Sequence, residues 1–166
     1  MKKILALVLC LMMALSLTSA LAEAELTLAE QAFEGVWVQF EDGFEIYLPA
    51  EWVEYELTEE YNAQGMFYCA GSADGAYLCT LGWQPLEAEA TIEEVQALFS
   101  AQYPTATLTE VNGIGMVYYL DEANNTLNFL ALDGAEPGIY IFVFTPGDDA
   151  DYQTVAALIA STIRNF

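Results

Sequence analysis

Two segments late in the chain are apolar at nearly every position. Residues 114–120 read IGMVYYL, and residues 139–145 read IYIFVFT. Successive side chains of a β-strand point to opposite faces of the sheet, so a strand with one face in water alternates apolar and polar residues. Neither segment shows that alternation. We therefore expect both segments to be strands of a sheet that is covered on both faces.

The first predicted hairpin shows that neighbouring strands are antiparallel. Val38 and Phe40 belong to one alternating apolar set, and Phe44 and Ile46 belong to the next. If both sets share a face, Phe40 must oppose Phe44 and Val38 must oppose Ile46. That register leaves a three-residue loop, 41–43, in which Gly43 occupies the left-handed position that glycine favours.

Amphipathic helices are predicted on both sides of a block of strands. Thr91 and Glu94 form a capping box at the start of one helix, and residues 151–166 predict a second helix at the end of the chain. The apolar stripes are Ile92, Val95, Leu98 and Phe99 in the first helix, and Val155, Leu158, Ile159 and Ile163 in the second. Each helix can cover one face of the sheet. The predicted class is therefore α+β, an antiparallel β-sheet flanked by helices on both faces, which is an α/β/α sandwich.

The first 22 residues have the pattern of an export signal. Lys2 and Lys3 precede an apolar run over residues 4–17, and the small residues Ala20 and Ala22 suit a signal peptidase. The apolar run is too short to span a bilayer as a helix. Cys10 follows a leucine and comes too early in the run for a lipid-attachment site. We expect cleavage after Ala22, a secreted or extracytoplasmic location without a lipid anchor, and one domain over residues 23–166.

The charge of the predicted mature chain excludes whole classes of partner. Arg164 is its one basic residue against 25 acidic ones, a formal charge of 1 minus 25, or −24. A surface this negative repels nucleic-acid phosphates and anionic lipids, so we expect neither nucleic-acid binding nor direct membrane binding. The same chain is 55% hydrophobic, which a folded core requires and a disordered chain lacks.

The second predicted hairpin, residues 66–83, brings two cysteines together. If residues 73–75 form a three-residue loop like the first, Cys69 opposes Cys79 in a non-hydrogen-bonded pair, with α-carbons about 4.5 Å apart. That separation is just within disulfide range. They are the two cysteines left after signal cleavage, and an even count in an exported chain favours a structural disulfide. Two buried thiols are the alternative.

The stretch GFEIYLPAEW, residues 43–52, carries a resemblance to a known superfamily. Its pattern of Gly43, Phe44, Ile46, Leu48, Pro49 and Trp52 ends a leading hairpin, and a midway helix, a strand block and a closing Ser-Thr-Ile-Arg segment follow. This layout resembles the PsbP-like, or Mog-type, α/β/α sandwich superfamily over nearly all of residues 23–166. The superfamily includes a nuclear GTPase-binding protein, a photosystem accessory subunit and exported bacterial proteins. The resemblance implies a non-catalytic accessory or binding domain and supplies no catalytic set.

Trp52 is predicted to be structural, and Trp37 and Tyr47 are the candidates for an interaction surface. Pro49 cannot donate to a strand ladder, so it ends the strand, and Trp52 can fold back over the end of the sheet. We expect Trp52 to plug the core there rather than to form a ligand platform. Trp37 and Tyr47 oppose each other on the second face of the first hairpin. Either a helix covers that pair, or the pair is an exposed interaction surface.

The residue inventory leaves little catalytic chemistry. Histidine is absent, and no lysine follows Lys3, so Ser-His, Cys-His and Schiff-base arrangements are excluded. The segment 112–115 (NGIG) lacks the following helix of a nucleotide-binding loop and indicates a tight turn. We predict no catalytic residues, no cofactor and no metal site. Calcium has weak support, because residues 146–152 (PGDDADY) have neither the length nor the alternation of a calcium loop.

Two functions remain open. The first is an exported binding or accessory domain that recognises a protein or a cell-envelope component. The alternative is a carboxylate-dependent hydrolase that acts outside the cytoplasm. It would need two carboxyl groups that face each other across a cleft, roughly 5 to 10 Å apart, with raised pKa values. Acidic pairs such as Glu93-Glu94 do not identify a hydrolase, because they also stabilise the first turn of a helix.

Overall fold

The computed structural model describes residues 27–165, and the predicted signal peptide lies outside that range. The helices in it are α1 (Leu28–Ala32), α2 (Glu59–Ala63), α3 (Ile92–Ser100) and α4 (Ala150–Ala160). The strands in it are β1 (Gly35–Gln39), β2 (Phe44–Pro49), β3 (Val53–Glu54), β4 (Met66–Gly71), β5 (Leu78–Pro85), β6 (Thr107–Val111), β7 (Ile114–Asp121), β8 (Thr126–Leu132), β9 (Gly138–Thr145) and β10 (Arg164–Asn165).

Seven strands form the main sheet, in the order β3-β4-β5-β9-β8-β7-β6, with every neighbouring pair antiparallel. The two segments that are apolar throughout are β7 and β9. Their alternate side chains enter two different cores: Phe142 and Phe144 belong to one, and Ile139 and Ile141 belong to the other. The prediction of a sheet that is covered on both faces is therefore confirmed.

Different elements cover the two faces. On the first face, β2 contributes Ile46 and Leu48 and α4 contributes Ala156 and Ile159 to the core. On the second face, α3 contributes the buried Val95. The α+β class and the helix on each face are confirmed, but a second sheet, β1-β2-β10, shares the first face with α4. An 11-residue helix is about 16 Å long, whereas seven strands span about 29 Å, so one helix cannot cover that face.

Helix α3 begins as predicted, but its buried apolar stripe is narrower than the predicted one. The capping box is present: the Glu94 amide donates to Thr91 Oγ1 (3.3 Å), and the Thr91 amide donates to Glu94 Oε2 (2.8 Å). Leu98, predicted to face the core, is 68% exposed. Residues 92, 95 and 99 already form one continuous stripe at helical spacing, and residue 98 lies well to the side of it.

The first hairpin has the predicted register. Val38 pairs with Ile46 and Trp37 pairs with Tyr47, and the Phe40 amide donates to the Phe44 carbonyl (2.9 Å). Gly43 has a φ of +84°, the left-handed conformation that the three-residue loop requires. Loop length and alternation together were sufficient to predict this pairing.

The second hairpin is shifted by one residue from the predicted register. Cys69 pairs with Thr80 and Ala70 with Cys79, so the loop has four residues, 73–76, instead of three. Hydrogen bonds of Asp74 and Ser72 explain the longer loop. Asp74 Oδ1 accepts from Ser72 Oγ (2.7 Å) and from the Ala76 amide (3.1 Å), while Ser72 Oγ accepts from the Tyr77 amide (3.0 Å). Such side-chain bonds compete with the ladder for the turn.

The shifted register separates the two cysteines. Directly opposed residues share a face, so Cys79 lies with Ala70 in the core of the first face, and Cys69 lies with Thr80 on the other face. Thr80 Oγ1 lies 3.5 Å from Cys69 Sγ. Both thiols are free and buried, and the predicted disulfide is not formed. The alternative of two buried thiols describes the structure.

The chain end differs from the predicted helix over residues 151–166. Helix α4 ends at Ala160, and the fully buried Thr162 turns the chain: its hydroxyl donates to the Ile159 carbonyl (2.6 Å) and accepts from the Tyr47 amide (2.9 Å). Arg164 and Asn165 then pair with β2 as the short strand β10. An unpaired strand edge offers backbone donors and acceptors, and pairing with it ends the helical pattern.

We predict that both thiols resist alkylation in the folded protein. Cys79 is fully buried, and burial raises the pKa of its thiol, which keeps it protonated and unreactive. Mass spectrometry after iodoacetamide treatment should show no modified cysteine in native buffer and two in denaturant. A mature chain that stays unmodified in denaturant and gains two labels only after reduction would contain the disulfide and contradict this register.

A pair of alanine substitutions in the first hairpin tests the packing of the three-stranded sheet β1-β2-β10, which we call the small sheet. Ile46→Ala should lower the free energy of unfolding by about 2 to 5 kcal/mol, because Ile46 is fully buried in the core of the first face. Val36→Ala, on the paired strand and 52% exposed, should change it by less than about 0.5 kcal/mol. Equal losses in urea denaturation would contradict the placement of β2.

Candidate functional site

The pair formed by Trp37 and Tyr47 is covered by the chain itself. Their ring centroids are 5.3 Å apart on the outer face of the small sheet. Tyr47 is only 7% exposed, because Phe33, which directly follows α1, stacks on its ring with centroids 5.5 Å apart. Trp37 Nε1 donates to Glu30 Oε1 of α1 (3.2 Å). Tyr47 is thus buried and Trp37 is partly buried, so the segment that contains α1 covers much of this pair.

Arg164 completes the cover over Trp37. Its guanidinium carbon lies 3.6 Å from the Trp37 ring centroid, and its Nε donates to Glu45 Oε1 (2.6 Å). Glu45 is 6% exposed, and its other oxygen accepts from Gln39 Nε2 (3.0 Å). The hydrogen bonds from Gln39 and from Arg164 lower the pKa of Glu45. We call Glu30, Trp37, Glu45 and Arg164 the Arg164 cluster; it ties β10 and α1 to the first hairpin.

Trp52 lies where the sequence predicted, at the end of β2. Its amide donates to the Pro49 carbonyl (3.1 Å), and its partly buried side chain packs against the core of the first face. The Trp52 ring centroid is 6.3 Å from that of Tyr152 in α4. Trp52 also lines an open cleft, so it meets solvent as well as the core.

We call this concavity the aromatic cleft. It has a volume of about 290 Å³ and lies where the ends of α1 and β2, the start of β5 and the first turns of α4 meet. Four of its eight lining residues are aromatic. The lining residues are Phe33, Pro49, Glu51, Trp52, Tyr77, Asp151, Tyr152 and Val155.

Tyr152 and Tyr77 set the geometry of the aromatic cleft. Tyr152 is 3% exposed, and its hydroxyl donates to the Leu78 carbonyl (2.7 Å), which fixes its ring. Burial raises the pKa of Tyr152. The Tyr77 ring lies 4.8 Å from the Tyr152 ring at a tilt of 44°, and Tyr77 is 36% exposed. A rigid buried ring thus supports an accessible one.

Carboxylates surround the aromatic cleft. Glu51 and Asp151 line it, and Asp149 caps α4 with its Oδ1 accepting from the Tyr152 amide (2.9 Å). Tyr77 Oη donates to Asp149 Oδ2 (3.4 Å). The negative charge of Asp149 raises the pKa of Tyr77, with further contributions from partial burial and from nearby carboxylates. The electrostatic potential at the cleft is therefore negative.

The carboxyl groups with shifted pKa values do not suit acid catalysis. Hydrogen-bond donors lower the pKa of Glu30, Glu45, Asp74 and Asp121, four carboxyls of the described residues. A general acid at neutral pH needs a raised pKa instead. These four groups therefore lend no support to the alternative of a carboxylate-dependent hydrolase.

Residues 27–165 contain neither a metal-binding cluster of side chains nor a membrane-spanning helix. Within them, no group of three or more Cys, Asp or Glu side chains is arranged to hold a metal ion. Likewise, none of the helices in this range combines the length and the hydrophobicity that a bilayer crossing requires. The acidic run before α4, the segment with weak support for calcium, holds the helix cap Asp149.

Sequence reasoning placed Trp52 at the end of the sheet as a core plug, and it predicted neither the aromatic cleft nor its other rings. Phe33, Tyr77 and Tyr152 come from three separate segments, and no local pattern joins them. One signal was available: Tyr77 lies two residues after the predicted hairpin loop, 73–75, where a large aromatic side chain has little chance of burial. These rings come together because α4 and the small sheet pack side by side on the first face of the main sheet.

Comparisons with known proteins identify the fold. The solution structure of cyanobacterial PsbP (CyanoP) from Synechocystis sp. PCC 6803 matches with a TM-score of 0.54 and 12% identity, over 80% of this chain and 92% of that one. A Bacteroides thetaiotaomicron VPI-5482 crystal structure has a TM-score of 0.49 and 14% identity, over 75% of this chain and 45% of that one. No protein-family model and no curated protein sequence matches the chain. The chain has a PsbP-like fold, as the resemblance implied.

The Arg164 cluster predicts a pH-dependent contribution to stability. The pKa of Glu45 is lower in the folded chain than its usual value of about 4.3, so its stabilising contribution is complete above that value and is lost as the pH falls through the folded pKa. The difference in unfolding free energy between the wild type and Glu45→Gln should therefore shrink from pH 6 to about pH 3. Urea denaturation across this range measures the difference.

Glu110→Gln, on the exposed strand β6, is the control for removing one carboxylate from this acidic chain. Glu30, whose pKa is also lowered, is present in all three proteins, so its titration cancels in the comparison. A Glu45→Gln difference that stays constant with pH, or one that follows the Glu110→Gln control, would contradict the role assigned to Glu45.

Proposed function

We propose that this protein is an exported, non-catalytic binding or accessory domain that recognises a protein or a cell-envelope component through the aromatic cleft. The observation that carries the proposal is the pairing of accessible Trp52 and Tyr77 rings with a fixed Tyr152 ring in a concavity of about 290 Å³. The export signal predicted over residues 1–22 supports the extracytoplasmic setting, and the PsbP-like fold agrees with an accessory role.

Rings held in this way suit binding. Tyrosine and tryptophan present large apolar areas with few rotatable bonds, so little conformational entropy is lost when a partner covers them. Side chains of these types dominate the energy of many protein interfaces. Because Tyr152 is hydrogen-bonded and buried, the surface formed with Tyr77 is already organised before a partner arrives.

Another concavity, of about 390 Å³, lies between the two sheets and is less suited to recognition. Its rings include Phe44 and Phe142, which are 5% and 3% exposed and belong to the core. One of its two carboxylates, Asp133, already accepts hydrogen bonds from Trp83 Nε1 (2.9 Å) and the Ala135 amide (2.8 Å). The aromatic cleft has more accessible rings and is the better candidate.

A binding experiment with matched tyrosine variants tests the proposal. The purified domain is immobilised as wild type, Tyr77→Leu and Tyr118→Leu, and envelope extract from the producing organism is passed over each. Tyr118 is the matched control, because it is 38% exposed, close to the 36% of Tyr77, and lies on β7 outside the aromatic cleft. We expect at least one component to be retained by the wild type and Tyr118→Leu, and about tenfold less by Tyr77→Leu.

Quantitative mass spectrometry of the eluted components measures retention, and circular dichroism checks that each variant is folded. Equal retention by all three proteins would mean that the aromatic cleft is not the recognition surface. No saturable retention by the wild type would count against the binding function itself.

A further inference from the structure

The aromatic cleft combines two features that favour a positively charged occupant. Trp52 and Tyr77 offer accessible rings, and the rings lie among carboxylates on three separate segments, at Glu51, Asp74 and 149–151. A cation is attracted both by the negative face of an aromatic ring and by the carboxylates around it. Neither attraction operates for a neutral or anionic ligand.

The described chain has no spare cation to satisfy this cleft internally. Arg164 is the one basic residue of residues 27–165, and it is bound to Glu45 and stacked on Trp37 in the Arg164 cluster. Trp37 shows the same chemistry inside the protein, since an arginine lies over its ring beside a carboxylate. At the aromatic cleft, the corresponding positive charge must come from outside.

We infer that the aromatic cleft receives a lysine or arginine side chain of a basic protein segment. The inference rests on the proposed binding function and names the chemistry of the partner. The charged end lies against the rings of Trp52 and Tyr77 and near Glu51 and Asp151, while the aliphatic stem packs on Val155.

A protein segment fits the distribution of charge better than a small free cation does. Glu51 follows β2, Asp74 lies in the β4–β5 loop and Asp149 caps α4, so the carboxylates come from three separate segments of the chain. A single ammonium group meets only some of them, whereas successive basic residues meet several. The strongly negative surface also speeds the approach of a basic partner at low ionic strength.

The test uses fluorescein-labelled hexalysine and hexaarginine, with hexaglutamate as the matched anionic peptide, and measures binding by fluorescence anisotropy. We expect saturable binding of the basic peptides and no binding of hexaglutamate. Tyr77→Leu should weaken the binding of the basic peptides about tenfold, because it removes one ring. Tyr118→Leu should leave it unchanged.

Carboxylate variants separate the aromatic cleft from general attraction to an acidic protein. Glu51→Gln and Asp151→Asn each remove one negative charge at the cleft, and Glu110→Gln removes one from β6. The two cleft variants should weaken hexalysine binding at least about threefold more than Glu110→Gln does. Equal effects of all three would show non-specific attraction and would overturn the inference.

Tetramethylammonium, a small free cation, tests whether the cleft binds a small cation instead of a basic protein segment. A cleft that binds tetramethylammonium and fails to bind either basic peptide would overturn the assignment to a protein segment. Bound hexalysine should be displaced only by about 1 M sodium chloride or by a competing basic peptide. That result supports the assignment to a protein segment.

The outcome remains separable from that of the proposed function. If an envelope component is lost in Tyr77→Leu but hexalysine does not displace it from the wild type, the binding function stands and the cationic partner is wrong. If envelope retention is the same for Tyr77→Leu and the wild type, the binding function through the aromatic cleft is wrong, whatever the peptides do.

Discussion

The constraint on which the structure depends is a sheet that is apolar on both faces. Burial of apolar side chains is the main favourable contribution to folding, so strands such as β7 and β9 require packing partners above and below. The alternate side chains of β9 enter two separate cores. Every other described element can be understood by which of these two cores it covers, or by how it is attached to an element that does so.

The aromatic cleft forms because two elements, α4 and the small sheet, together cover the first face. Helix α4 is too short to cover seven strands, and the small sheet packs beside it on that face. The end of β2, the first turns of α4 and the start of β5 therefore meet at one border, where Pro49, Trp52, Tyr77 and Tyr152 line a concavity. Side chains at such a border are only partly enclosed. Such a border can supply the proposed binding surface without any loss to the core.

Charge gives the same surface its chemical character. The one cation of the described chain is used internally, where Arg164 joins Glu45 and Trp37 and fastens β10 to the edge of β2. Every other charged side chain of the described residues is acidic, including those in the loops around the aromatic cleft. Glu45 is nearly buried, and an unpaired charge at that depth would be costly. The hydrogen bonds that Glu45 accepts from Gln39 and Arg164 stabilise its charge.

Sequence alone determined the features that depend on neighbouring residues. The register of the first hairpin followed from alternation and a glycine loop, the start of α3 from its capping box, and the two-sided sheet from the composition of β7 and β9. The PsbP-like fold followed from a short pattern ending in Trp52 together with the order of the elements. In each case the deciding interaction lies within a few residues of chain or in the pattern itself.

Tertiary structure decided what depends on competition between distant groups. The second hairpin moved by one residue because Asp74 and Ser72 bind the turn, and that step placed Cys69 and Cys79 on opposite faces. The last helix stopped early because Thr162 and Arg164 gain partners on β2. The covered Trp37 and Tyr47 and the aromatic cleft arise where separate segments pack together. Local sequence patterns do not predict these contacts, because the free energy that favours them arises only when the layers pack together.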